Sequence, residues 1–231
     1  MTIGGIQKNT LIDYPGKIAT TVFTLGCDFL CPFCYASELV SPKKIECHPR
    51  ISETDFFDFL KNRQDLLDGV CICGGEPTIH SDLEEFIRKI KNFGFAVKLD
   101  TNGYLPDILE DLMRKQLLDY VAMDIKAPPE KYQQYCGIKI DISRIQESIE
   151  ILRSGNIGYE FRTTLAPGLT KNDLINIADW IEPAEKYFLQ EFTNNKNIMD
   201  EKILTLPIID YRGIREAIKE IKSFFTICKL R

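Results

Sequence analysis

Apolar positions along this chain follow two rhythms in turn. Short runs rich in β-branched and aromatic residues occur at 19–25, 70–73, 96–99, 120–123, 159–163 and 186–190. Between them lie segments in which apolar residues return every three or four positions. The first rhythm is that of a buried strand and the second that of a helix with one apolar face. Their regular alternation predicts a parallel sheet, because a crossover between parallel neighbours needs a connection long enough to hold a helix. Helices are expected near 54–62, 82–92, 105–115, 143–153, 172–181 and 211–224, and residues 225–230 read as a closing strand. Three helix starts pair a hydroxyl with an acid three residues on: Ser52 with Asp55, Ser81 with Glu84 and Thr170 with Asp173. Such a hydroxyl accepts a hydrogen bond from a main-chain N–H of the first turn, which otherwise has no partner. Six strand–helix units predict an α/β fold, a partial (β/α)6 barrel of the TIM type.

The 231 residues are 44% hydrophobic and 27% charged, enough for a substantial core, and they are expected to form one domain over 1–231. No repeat, low-complexity linker or like-charge run divides them. A formal charge of −5 argues against a nucleic-acid partner. The first residues carry no signal-peptide core, and no stretch approaches the roughly 18 to 20 apolar residues of a membrane span. A cytoplasmic location without a membrane partner is therefore expected. In a reducing compartment the eight cysteines are not expected to form a disulfide framework, so clustered ones suggest metal and scattered ones packing.

Polar residues mark the ends of the strand runs. Cys27 follows the first, Gly74-Gly75-Glu76 the second and Asp100-Thr101-Asn102-Gly103 the third. Asp124 and Lys126 follow the fourth, Arg162 lies in the fifth and Gln190 ends the sixth. In a barrel of βα units these positions converge on one mouth, where active sites are built.

The densest chemistry is in residues 24–35, TLGCDFLCPFCY, with Cys27, Cys31 and Cys34 at the spacing Cys-x3-Cys-x2-Cys. A [4Fe-4S] cluster held by three thiolates keeps one iron open for a ligand. A zinc site completed by Cys47 or His48 is the alternative, though structural zinc usually takes paired ligands at short spacings, and simple packing of three thiols is a third reading. Gly74 and Gly75 let main chain approach a ligand, and the Glu76 carboxylate can accept from an ammonium group; a plain turn into a helix would look the same. The Asp100-Thr101-Asn102-Gly103 and Asp124-Ile125-Lys126 segments can likewise be ordinary turns. Arg162 is either a carboxylate partner for a ligand or one end of a structural ion pair. Cys71 and Cys73 read as small core residues, Cys47, Cys136 and Cys228 are isolated, and His48 and His80 read as structural or solvent-facing.

The cysteine loop, with aromatic Phe33 before Cys34, resembles the signature of the radical S-adenosylmethionine (SAM) enzymes, and the later motifs follow in that family's order. The resemblance implies a [4Fe-4S] cluster on Cys27, Cys31 and Cys34, with SAM bound at the open iron and Phe33 near its adenine. It places the SAM amino group at Gly74-Gly75-Glu76 and the ribose and carboxylate near Asp100, Asn102 and Lys126. It also implies SAM contacts for Arg162 and Gln190, and a monovalent cation beside Asp100 and Asp124.

Three stretches, GGIQKNTLIDYPGKIATTVFTLGC, AMDIKAPPEKY and YEFRTTLAPG, resemble more narrowly the activating proteins of anaerobic ribonucleoside-triphosphate reductase. The implied partners are that glycyl-radical enzyme and a flavodoxin or ferredoxin electron donor; a radical SAM enzyme acting on a small molecule or peptide is the alternative. Tyr35 stands where many activases carry His, and the ferredoxin-like insert of some is absent.

Overall fold

The computed structural model describes residues 1–194 and 197–231. Among the described residues eight strands form one sheet in sequence order: β1 Ile3–Thr10, β2 Ala19–Thr24, β3 Gly69–Gly74, β4 Ala96–Thr101, β5 Tyr120–Asp124, β6 Gly158–Thr164, β7 Ala184–Gln190 and β8 Phe225–Leu230. β1 runs antiparallel to β2, and every later pair is parallel. The helices are α1 Ser37–Val40, α2 Pro42–Ile45, α3 Glu53–Lys61, α4 Leu83–Asn92, α5 Pro106–Arg114, α6 Tyr132–Cys136, α7 Ile142–Ser154, α8 Lys171–Ile181 and α9 Tyr211–Ile221.

The six expected strands are β2 to β7, and the six expected helices are α3, α4, α5, α7, α8 and α9. β8 does not close the sheet: it pairs with β7 alone, and β1 and β8 remain the two edges of an open barrel. β1 lies outside the pattern that periodicity predicts. Its sequence, IGGIQKNT, has weak strand propensity, and the hairpin with β2 and the bridge from Ile3 to Ile51 hold it in place.

Two of the three expected caps form. Ser52 accepts the N–H of Asp55 at 3.0 Å, and Thr170 and Asp173 make a reciprocal capping box. The Ser81–Glu84 pairing does not cap α4, which starts after Asp82 without a side-chain cap. Glu84 pairs instead with Arg88 and Lys115, and Asp82 with the Met1 ammonium group.

Strand alternation separates the two sides of β3. Val70 and Ile72 join the apolar cluster that holds Phe56, Leu60, Phe86 and Ile90 of α3 and α4. Each such side chain contributes roughly 1.5 to 3 kcal/mol on burial. Cys71 points the other way, its Sγ 3.6 Å from Asp100 Oδ1 and 3.7 Å from Lys98 Nζ. The reading of Cys71 as a purely apolar filler is corrected by this polar lining. At the strand starts Tyr14 packs on Tyr120, Ala19 and Ala96, and so fills the end of the barrel opposite the site. Among the described residues no helix is long and apolar enough to cross a membrane.

Candidate active site

The cysteine loop leaves β2 through Gly26, at φ +94°, and is fixed by main-chain bonds from distant segments. Leu30 N–H donates to Cys136 at 2.9 Å, Met199 N–H to Cys34 at 3.0 Å and Asp200 N–H to Pro32 at 3.0 Å. Cys27 Sγ accepts the N–H of Phe29 at 3.3 Å. Cys31 is buried, Cys27 and Cys34 are partly exposed, and none forms a disulfide. Burial pushes the Cys31 thiol up to about 12 and holds Cys27 and Cys34 above their ordinary range. These thiols stay protonated until a metal displaces the proton.

The zinc reading does not fit. Cys47 is exposed, and His48 Nδ1 lies 2.8 Å from the Pro49 carbonyl. Among the described residues no three His, Cys, Asp or Glu side chains converge on one ion position. Three thiols outside any disulfide on one anchored loop suit a multinuclear cluster, in which each thiolate takes its own iron.

The Gly-Gly-Glu turn presses against the start of this loop. A Cβ on Gly74, at φ +117°, would lie 2.3 Å from Thr24 N, and one on Gly75 would lie 1.8 Å from the Gly26 carbonyl oxygen. The close approach that demands glycine is therefore to the chain's own main chain. Gly75 N–H donates to Thr24 at 2.9 Å and Glu76 N–H to Gly26 at 2.8 Å. The Glu76 side chain is buried and occupied: Oε1 accepts from Thr78 N–H at 3.1 Å, Thr78 Oγ1 at 2.6 Å and Thr101 Oγ1 at 2.8 Å, and Oε2 from Asn102 N–H at 2.7 Å. Burial, and then the nearby charge of Asp28, push its carboxyl up to about 7.

The next strand ends carry a chain of alternating charge that runs from the buried Lys98 and Asp100 to the partly exposed Asp124 and Lys126. Lys98 pairs with Asp100, whose other oxygen accepts from Arg162 Nη1 at 2.8 Å. Arg162 Nε reaches Asp124 Oδ1 at 2.9 Å, and Lys126 Nζ reaches Asp124 Oδ2 at 3.0 Å. Asp124 and Arg162 are direct partners in the β5–β6 register, so their side chains share a face. Burial opposes ionisation of both acids, but Arg162 with Lys98 or Lys126 outweighs it and keeps Asp100 and Asp124 below the usual carboxylate range. Where the sequence suggested a monovalent cation between Asp100 and Asp124, the guanidinium of Arg162 stands.

Phe33 is 6% exposed and tilts against Tyr135, whereas Tyr35, two residues on, is 59% exposed. Gln190 lines a cavity of about 440 Å³ together with Arg162, Glu160, Arg231, Ile12, Asp13 and Pro15. Arg231 Nη1 lies 3.0 Å from Glu160 Oε1, and its guanidinium stacks 3.3 Å from the Phe188 ring centroid.

Sequence pattern points to most of these positions at the strand ends but passes over Asp28, Lys98, Glu160 and Arg231. Lys98 gives a usable signal, a charge two residues before Asp100 inside AVKLDT, a strand buried along nearly its whole length. Asp28 gives another, an acid within the cysteine spacing; its Oδ1 accepts from Asn102 Nδ2 at 2.7 Å.

A family model described as the Radical SAM superfamily matches residues 21–181. A provisionally named glycyl-radical enzyme activating enzyme of Methanocaldococcus jannaschii is 31% identical over 230 residues, covering 96% of this chain and 92% of its own. The pyruvate formate-lyase 2-activating enzyme of Escherichia coli is 26% identical over 200 residues, 73% of this chain and 68% of that one. Among solved structures, Streptococcus suis SuiB bound to S-adenosylmethionine matches 89% of this chain with a TM-score of 0.66 at 13% identity, a likeness of fold. This chain spans about half of SuiB, 48% of its length. The anchored three-cysteine loop, the open barrel and a family match over more than half its length identify this chain as a member of the radical SAM superfamily, whose cofactors are a [4Fe-4S] cluster and SAM.

Proposed function

We propose that this radical SAM enzyme activates a glycyl-radical enzyme and that its target is an anaerobic ribonucleoside-triphosphate reductase. The observation that carries the first part is the nearly end-to-end likeness to an activating enzyme, 96% of one chain and 92% of the other. The stretches at 4–27, 122–132 and 159–168 support the reductase as the target.

When bound, the cluster and SAM supply reductive cleavage of the C5′–S bond to methionine and a 5′-deoxyadenosyl radical that can take hydrogen from a glycine Cα. The protein's part is to bind, orient and shield. Cys27, Cys31 and Cys34 hold the cluster, with the Gly74-Gly75-Glu76 turn fixed behind them by the Thr24 and Gly26 bonds. Lys126 and Arg162 are the cations for the SAM carboxylate, Asp100 and Asn102 face the ribose, and Phe33 and Gln190 flank the adenine. No acid or base is required for hydrogen abstraction from carbon.

The unpaired edges β1 and β8 leave the barrel open along one side. A glycine-bearing loop of a partner protein fits such an opening, and the 440 Å³ cavity beside Arg162 gives it space. The whole chain acts as one domain in the cytoplasm, with flavodoxin or ferredoxin as the electron donor.

The test is anaerobic incubation of the reconstituted enzyme with SAM, reductant and the reductase, followed by electron paramagnetic resonance (EPR). A glycyl doublet is expected. SAM cleavage without a doublet would point to the alternative, a small-molecule or peptide substrate.

A further inference from the structure

Arg231 stands in the wall of the 440 Å³ cavity together with Glu160. Its Nη1 lies 3.0 Å from Glu160 Oε1 and its Nη2 3.4 Å from Oε2. Glu160 is 1% exposed, and Tyr120 donates its hydroxyl to Oε2 at 3.0 Å, so the carboxylate is itself held. The guanidinium also stacks on Phe188, 3.3 Å from the ring centroid. Gripped by a carboxylate at one edge and a ring at one face, it is fixed in one orientation.

A guanidinium has five N–H groups, and Glu160 takes one from each terminal nitrogen. The other three have no partner among the described residues, and the side chain is 41% exposed. The cavity therefore presents oriented, unspent donors. Its charge, by contrast, is already balanced. Glu160 offsets Arg231, Asp13 adds a further acid, and Arg162 is engaged by Asp100 and Asp124. A phosphate or carboxylate finds no free cation there, whereas a neutral carbonyl oxygen finds donors and needs no countercharge.

The cavity also extends to Arg162, which stands among the charged strand ends. Glycine offers no side chain to hold, so selecting one glycine depends on gripping the main chain beside it. We infer that Arg231 is a specificity-determining contact for the glycine-bearing segment, donating its spare N–H groups to a main-chain carbonyl next to the reacting glycine. The inference rests on the reading of this chain as an activating enzyme and adds a residue outside the cluster and SAM contacts.

The experiment titrates the partner reductase into reconstituted wild type, Arg231→Lys and the double variant Glu160→Gln with Arg231→Met, with SAM and reductant, and reads the glycyl doublet by EPR. Lysine keeps a charge for Glu160 but lacks the fork, and the double variant removes both ends of the pair, so that no buried charge is stranded. Loss of a bond from a charged donor predicts about a ten- to hundredfold rise in the half-saturating reductase concentration. The saturating rate, and the SAM affinity measured by calorimetry, should match wild type. An unchanged half-saturating concentration overturns the inference, as does a matching loss of SAM affinity, which marks a merely structural role for the pair. Should one variant fail to fold, the other supplies the same comparison. A wild type that cleaves SAM and yields no doublet refutes the activating-enzyme reading itself, and the inference with it.

Discussion

Glu76 Oε2 accepts the main-chain N–H of Asn102 at 2.7 Å, so one carboxylate joins the turn after β3 to the turn after β4. Its other oxygen adds Thr101 and Thr78 to the same knot. The residue that the motif presents as a ligand group is thus also a bolt between neighbouring strand ends. Replacing it by Ala strands these buried donors, which predicts a loss of about 3 kcal/mol in urea unfolding of the cluster-free chain. Glu76→Gln, which keeps one acceptor, should recover part of that loss. An unchanged midpoint in Glu76→Ala would contradict the bonding described.

The Glu76 carboxyl is raised from an ordinary 4.5 to about 7, first by burial and then by Asp28. A folded-state value above the unfolded one means that ionisation disfavours the fold. The stabilising contribution of the protonated form is complete below about pH 4.5 and is lost as pH rises through 7. Wild type should therefore lose stability relative to Glu76→Gln across that window. Carboxyl ¹³C resonances read the titration directly: a midpoint near 7 is expected, and one below 5 would refute it.

Gly75→Ala tests the contact between the two loops. The new Cβ would lie 1.8 Å from the Gly26 carbonyl, a main-chain atom that no rotamer change can move. Overpacking costs about 3 kcal/mol at the upper end of its usual range, and here the strain falls on the chain leading to Cys27. Iron bound after anaerobic reconstitution should fall to well under half of wild type. Gly5→Ala, whose Cβ meets only Phe23 at 3.7 Å, is the control and should be near wild type. Normal iron uptake by the Gly75 variant would dissociate the Gly-Gly pair from the cysteine loop.

Arg162 neutralises two acids at once, the buried Asp100 and the partly exposed Asp124. Arg162→Met leaves Asp100 with Lys98 and Asp124 with Lys126 as their remaining partners, and because Asp124 is 30% exposed the loss should fall below the about 3 to 5 kcal/mol of breaking a fully buried pair. Denaturation at pH 7 should show that loss. It should shrink as pH falls through the carboxylate range, because the two acids, released from Arg162, protonate more readily. A pH-independent loss would mean that packing, not charge, accounts for it.

Periodicity locates the six parallel strands and the main helices because both faces of β2 to β7 are covered, which leaves a strong apolar signal. It misses β1, whose glycines and polar run IGGIQKNT form a strand only through pairing with β2 and Ile51. Spacing and strand ends expose the cysteines and the charged cluster, since chemistry there departs from core composition. What stays hidden is the third dimension: which oxygen of Glu76 is spent, that Cys71 faces Asp100, and that Arg231 returns from the last residue to pair with Glu160. Such facts depend on tertiary neighbours that no local pattern encodes.

Whether Cys27, Cys31 and Cys34 hold a cluster with one iron left for SAM is decided by EPR of the reconstituted, dithionite-reduced protein, recorded with and without SAM. Three thiolates on an anchored loop predict about four irons per chain, a reduced-cluster signal whose g-values change when SAM is added, and no signal in Cys31→Ala. A single bound zinc, or a cluster signal that SAM leaves untouched, would contradict that assignment.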